Sequence, residues 1–202
     1  MFVQVIQGKT SDADGLRRQF DRWQDEVRPV ATGYLGTTAG ITGDGTVFVL
    51  ARFESEESAR ANNDRPEQDA WWSETAKYFD GAPSFKDYTD VEVTQAGGSN
   101  DAGFVQVMQG RVRDAARVRE MEKAFMPRLK ELRPDIIGSV RGWDGNDYTE
   151  VIYFTSEAEA REGERRMTEG SAEQGPPQEG FEEYMALVES VDYLDLTDPW
   201  LR

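Results

Sequence analysis

Apolar and polar residues alternate from Phe2 to Gln7, which is the two-residue period of a β-strand. Phe2, Gln4 and Ile6 share one face, and Val3, Val5 and Gln7 share the other. Both faces are largely apolar, as expected of an inner strand covered on each side. The period then lengthens. Leu16, Phe20, Trp23 and Val27 recur at helical spacing behind a capping Ser11 or Asp12, and Arg28-Pro29 ends that helix. Two strands follow, at about 33–41 and 46–53, joined by a turn built on Asp44-Gly45. Ser55 is placed to cap a second helix, and a last strand lies near 88–94. The predicted order is β-α-β-β-α-β, the split ferredoxin-like motif.

The series occurs twice. FVQVIQG at 2–8 returns as FVQVMQG at 104–110, changed at one position. Arg28-Pro29, Gly33, Asp44-Gly45 and Phe53 are answered by Arg133-Pro134, Gly138, Asp144-Gly145 and Phe154, and Ala59-Arg60 by Ala160-Arg161. Such self-similarity marks an internal duplication. In the second copy Val118, Met121, Phe125, Leu129 and Leu132 form the helical stripe, with Pro127 inside it expected to kink or split the helix. Strands are predicted near 136–143, 148–154 and 188–196, with Ser156 as the second cap.

Residues 95–103, rich in Gly, Ser and Asn, read as a flexible linker. The expected domains are 1–94 and 104–202, the second carrying a tail. Each half has its helices on one sheet face and an apolar face left bare. Stacking the two sheets is the simplest remedy. The expected fold class is therefore α+β: two tandem ferredoxin-like repeats stacking their sheets into a pseudo-dimeric α+β barrel. The chain would be its own internal pseudo-dimer, with a homodimer as a further option. The apolar Trp200-Leu201 in the tail either folds back over the other half or meets another copy.

Composition then removes several chemistries. Hydrophobic content of 38% with 11% aromatics is enough for a packed core, so a disordered chain is not expected. Cysteine and histidine are both absent. That takes away disulfides, thiolate nucleophiles, the usual general base and the common ligand sets for zinc, non-haem iron and haem, so no metal site is expected. A net charge of −16, spread over both halves, argues against nucleic acid and anionic membranes as partners. No apolar run reaches the roughly 20 residues of a membrane span. Strand-like sequence from residue 2 leaves no room for a signal peptide, and the expected location is cytoplasmic.

Two features are candidates for chemistry. Gln4 and Gln7, repeated as Gln106 and Gln109, are amides on a strand expected to be buried, so each must find a partner or face a cavity. The densest polar-aromatic cluster runs from Asn62-Asn63 through Pro66 to Trp71-Trp72 and on to Tyr78-Phe79. Pro66 should end one helix and begin another, leaving the Asn pair at a helix end. Adjacent tryptophans cannot enter the same core, so one packs on the sheet and the other is free to line a pocket. The bland alternative is that these aromatics are all core and that Asn-Asn before Pro is a helix stop. The matching second-half segment, 175–184, keeps neither the Trp pair nor the Asn pair, which confines a site to the first half.

The FVQV-type first strand, the Asp-Gly hairpin, the Phe-x-Ser-Glu start of the second helix and the Arg65-Pro66-Glu67-Gln68-Asp69-Ala70-Trp71-Trp72 run resemble the dimeric α+β barrel superfamily. The chain is most similar to its antibiotic-biosynthesis-monooxygenase-like (ABM) domains, fused in tandem. That superfamily hosts many reactions, so the resemblance speaks to fold before activity. It implies a pocket for a planar molecule and, in the oxygenase members, a cofactor-independent reaction in which a substrate carbanion meets oxygen directly. On that reading Asn63 or Asn62 binds the developing oxyanion. Trp72 or Trp71 positions the ring, Tyr78 bonds a phenol, and Arg52, Gln4 and Phe79 complete the binding surface. The haem-degrading branch needs a histidine that this chain lacks. The rival expectation is a non-catalytic small-molecule binder or stress-associated protein of the same fold, with a structural or interaction protein third.

Overall fold

The computed structural model describes residues 1–95, 97–169 and 178–202. The predicted inner strand forms as β1 (Phe2–Lys9), antiparallel to β3 (Thr46–Phe53) on one side and β4 (Ser84–Tyr88) on the other. Phe2, Val3, Val5 and Ile6 are all buried, as apolar residues on both strand faces require. β2 (Tyr34–Ile41) pairs with β3 through the Asp44-Gly45 turn, where Gly45 takes the positive φ of +81°. With β10 (Trp200–Leu201), the first sheet has the order β10-β2-β3-β1-β4.

The second copy repeats this. β6 (Phe104–Val112), β7 (Ile136–Asp144), β8 (Asp147–Phe154) and β9 (Val188–Leu196) join β5 (Asp90–Gln95) in the order β5-β7-β8-β6-β9. Registers match: Phe2 stands opposite Phe53, and Phe104 opposite Phe154. Both second strands shift register at the same place, between Tyr34 and Gly36 and between Ile136 and Gly138. The chain thus forms two α+β ferredoxin-like repeats. Each belongs to a compact unit, Met1–Val91 with Asp198–Arg202, and Glu92–Thr197.

Helices begin where the capping residues stand. The Asp12 carboxylate accepts from the Gly15 N–H at 2.8 Å and opens α1 (Ala13–Glu26); Asp114 opens α4 (Ala115–Leu132) in the same way. Ser55 caps α2 (Glu56–Asn63), and Pro66 starts α3 (Pro66–Thr75) as its first residue. α5 (Glu157–Glu169) and α6 (Gln178–Leu187) complete the second repeat. Among the described residues no helix is long and apolar enough to cross a membrane.

Three expectations are corrected or resolved. Pro127 does not split its helix: α4 runs through it. Pro127 and Lys123 are both exposed, so water can satisfy the carbonyl that proline leaves without a donor. The single strand expected near 88–94 is two, broken at the exposed Thr89: β4 stays on β1, while β5 pairs with β7. The tail folds back, since β10 adds to β2. β5 therefore holds in the second sheet the place that β10 holds in the first.

Candidate functional site

A cavity of about 60 Å³ lies in the first unit between the sheet and α1, α2 and α3. Strand alternation decides what its floor is made of. Gln4 and Ile6 of β1, Thr37 and Ala39 of β2, and Val49, Ala51 and Phe53 of β3 share this face. The walls are aromatic: Phe20 and Trp23 from α1, Tyr34 from β2, Trp71 from α3 and Trp200 from β10. Asn62, Asn63 and Gln68 close one end, with Asp21, Gln24 and Arg202 also lining it.

Hydrogen bonds orient the amides. Trp23 Nε1 donates to Gln68 Oε1 at 2.8 Å, and an indole N–H has no acceptor role, so Gln68 must turn its oxygen that way. Asn62 then presents Nδ2 to the same oxygen at 3.2 Å. Its Oδ1 is left buried with no partner, on a residue only 3% exposed. Gln24 Oε1 is likewise buried and unpartnered, while the Gln24 side chain bonds the Tyr34 hydroxyl. That hydroxyl donates to Thr37 Oγ1 at 2.8 Å. Burial raises the Tyr34 phenol above its ordinary range, against the pull of the Thr37 and Gln24 bonds, so it stays a neutral donor. Two residues that line the cavity, Asn62 and Gln24, thus each carry a buried acceptor oxygen that lacks a donor, a cost of about 1–3 kcal/mol apiece.

The predicted site residues divide. Gln4, Asn62, Asn63 and Trp71 come together around the cavity. Within the Asn pair the inner residue is Asn62, because Asn63, one helical step on, is exposed. Trp71 is buried at 4% and spends its N–H on the Gln19 carbonyl at 2.7 Å. Trp72 turns away by one helical step and packs between Phe79 and Phe85, with ring centroids at 6.0 and 5.3 Å. Tyr78 lies over the start of α1, where a Cβ on Gly15 would come within 2.3 Å of its ring, and Phe79 packs against Gly8. Arg52 stands opposite Val3, between Ala51 and Phe53, so alternation puts it on the sheet face away from the cavity. Gln4 bonds Asp87 at 2.9 Å across β1 and β4, and Gln106 bonds Asp195 at 3.0 Å in the second copy, so both amides satisfy the partner requirement strand to strand.

The second unit carries charge where the first carries the cavity. Register and caps match Ala39 to Arg141, Val49 to Glu150, and Phe20 to Glu122. Arg141 pairs with Glu122 and, at 2.5 Å, with Glu150. Tyr184 donates to Glu122 at 2.8 Å. Burial works against the charge on Arg141, but Glu150 and Glu122 outweigh it and hold the guanidinium above its usual range. Part of the segment compared with the aromatic cluster, 175–177, lies outside the described residues.

Tyr34, Gln24, Trp23 and Trp200 were missed as site residues. The first three follow from the face assignments of α1 and β2; Trp200 stood out only as an apolar residue of the tail, and its place here required the tertiary fold.

No protein-family model matches the sequence, and no curated protein matches it. Solved structures do. The "putative monooxygenase" of Lactobacillus acidophilus is 13% identical and superposes with a TM-score of 0.74, covering 100% of this chain and 98% of that one. A "putative monooxygenase" of Fusobacterium nucleatum is 10% identical at a TM-score of 0.74, over 96% and 90% of the two chains. An "anthrone oxidase-like protein" is 11% identical at a TM-score of 0.57, over 99% and 92%. The fold is that of these solved structures, and within it the ferredoxin-like unit is present twice in one chain.

Proposed function

We propose that the first-unit cavity is the site of a cofactor-independent, ABM-like monooxygenase acting on a small aromatic or enolisable molecule. The observation that carries this reading is the buried, unpartnered Asn62 Oδ1 on a residue that lines an aromatic-walled cavity. A phenolic or enolic hydroxyl would donate to that oxygen, and Trp71 would hold the ring beside it. That contact draws the hydroxyl proton toward Oδ1 and pushes electron density onto the carbon conjugated with the hydroxyl. That carbon then bonds to O₂ as the hydroxyl proton passes to the distal peroxide oxygen, giving a hydroperoxide, and loss of water leaves a new carbonyl: the CH₂ of the keto tautomer and O₂ become C=O and H₂O. On this reading Asn62 acts as an acceptor, with Asn63 at the mouth. The matching names of fold relatives support the reaction class. A cytoplasmic setting and a small-molecule ligand belong to the same proposal.

A second reading has its own support. Among the described residues the ionisable groups lining the cavity are Tyr34, held neutral, and Asp21 and Arg202, paired with each other at 2.8 Å. A cavity without a free base suits a non-catalytic binder. Oxygen uptake with anthrones, naphthoquinols and catechols separates the two. Uptake insensitive to chelators, and lost in a still-folded Asn62→Ala or Trp71→Phe variant, is the expected result. Calorimetric binding of these molecules with no uptake would leave the binder.

A further inference from the structure

The cavity is too small for what the proposed function asks of it. A cavity of roughly 150 Å³ accepts one benzene ring, and this one measures about 60 Å³. To close around a whole ring, some wall must yield. The floor belongs to long antiparallel ladders, β1 with β3 and β2 with β3. Trp71 is tied to the Gln19 carbonyl, and Trp23 to Gln68. Tyr34 is tied to Thr37, and Phe20 stands in the middle of α1. Of the aromatic walls, Trp200 alone stands on a strand of two residues.

The backbone and charged attachments of β10 are few, and the burial of Trp200, 6% exposed, supplies the rest of its hold. It pairs with β2 through Trp200 opposite Ala39 and Leu201 opposite Thr38. Beyond it Thr37 and Arg202 exchange backbone bonds, at 2.7 Å to the Arg202 carbonyl and 3.0 Å to the Thr37 carbonyl. Two ion pairs clip it to one face of α1: Arg17 with Asp198, and Arg202 with Asp21. All four of these side chains are more than a third exposed, so the pairs are weak and screened by salt. Alternation turns Trp200 and Arg202 to the cavity and Leu201 away from it. Trp200 meets Phe20 at 5.7 Å between centroids, under the Arg17 guanidinium at 5.4 Å. Gly36 makes the approach possible, since a Cβ there would sit 2.8 Å from the Arg202 carbonyl oxygen.

We propose that Trp200 is a ligand-binding residue and that β10 is the movable wall on which it closes over an aromatic ring. The inference rests on the aromatic-ligand reading of this cavity. Swinging β10 off β2 removes one wall without breaking the sheet beneath it, and its return stacks Trp200 on the ring it admitted.

The chain has no cysteine, which makes a lock clean. Thr38 and Leu201 flank the bonded Thr37–Arg202 pair, so they form the non-hydrogen-bonded pair whose Cβ atoms approach closely enough for a disulfide. Thr38→Cys with Leu201→Cys would fasten the strand on the face away from the cavity. Two readouts are needed: amide hydrogen exchange at Thr37 and Arg202, and 1-naphthol binding followed by calorimetry and stopped-flow fluorescence. In the wild type both amides are expected to exchange at least about 100-fold faster than those of the β1–β3 ladder. The oxidised lock should slow them, and should slow naphthol entry at least about tenfold relative to the same protein reduced.

Exchange at Thr37 and Arg202 as slow as in the β1–β3 ladder would show β10 to be a fixed strand and overturn the proposal. Equal naphthol entry in oxidised and reduced forms would do the same. Fast exchange quenched by the lock, with no naphthol binding in any form, would keep the mobile strand and sink both the aromatic ligand and the role of Trp200.

Discussion

Gln68 serves two donors at once, the Trp23 indole and the Asn62 amide. Replacing it with Leu strands both, and the loss should be about 1–3 kcal/mol in urea unfolding. Gln68→Glu keeps an acceptor for each donor and should cost less; equal losses would mean the bonds do not set the cost. The tyrosines add a pH prediction. Burial raises Tyr34 and Tyr184, and lifts Tyr148 to about 12. A folded pKa above the unfolded value of about 10 favours the neutral phenol in the fold. That stability is complete below pH 10 and is lost as pH rises from 10 through 12. Urea midpoints should hold from pH 8 to 9.5 and fall above it, and Tyr148→Phe should flatten the fall. Legibility at this scale was partial. The Asn pair and Trp71 stood out because polar and aromatic residues crowd one helix end. Which Asn enters was decided by one step of helix rotation; Trp72, one such step from Trp71, packs on Phe79 and Phe85, and Tyr78 and Phe79 lie beyond the end of α3 and went to packing.

Periodicity and capping made most elements readable, since each depends on neighbours within a few residues. What local pattern cannot carry is partner choice. Nothing between Tyr88 and Gln95 says that β4 stays on β1 while β5 joins β7. Trp200-Leu201 was visible as apolar, yet its place beside Ala39 depends on a strand more than a hundred residues earlier. Pro127 shows the opposite limit, a strong local signal that does not split an otherwise continuous helical stripe. The penalty should still be present in the folded chain. Pro is about 3 kcal/mol less favourable than Ala inside a helix, so Pro127→Ala should raise stability by about 1–3 kcal/mol at this exposed site. An unchanged or lower melting temperature would mean the proline is accommodated without cost, or needed for the path of α4.

Duplication gave the molecule two copies of one scaffold, and the matched positions show how they diverged. The first unit keeps Phe20, Ala39 and Val49 and has a cavity. At the matching places the second has Glu122, Arg141 and Glu150, with Arg141 also over the rings of Trp143 and Tyr148 at 5.3 and 5.4 Å. A buried ion group of this kind is tolerated because its members satisfy each other, and removing one leaves the rest exposed to full desolvation cost. Arg141→Ala should therefore lose about 3–5 kcal/mol, whereas replacing the whole group with apolar residues is often neutral or stabilising. Restoring the first-unit residues tests this directly. Glu122→Phe, Arg141→Ala and Glu150→Val together, with Tyr184→Phe so that no hydroxyl is stranded, should melt at or above the wild type. If the combined variant is as unstable as Arg141→Ala alone, the charges are required by the second unit in some other way. If it folds and gains a second ligand equivalent in calorimetry, the ion group is what closed that half.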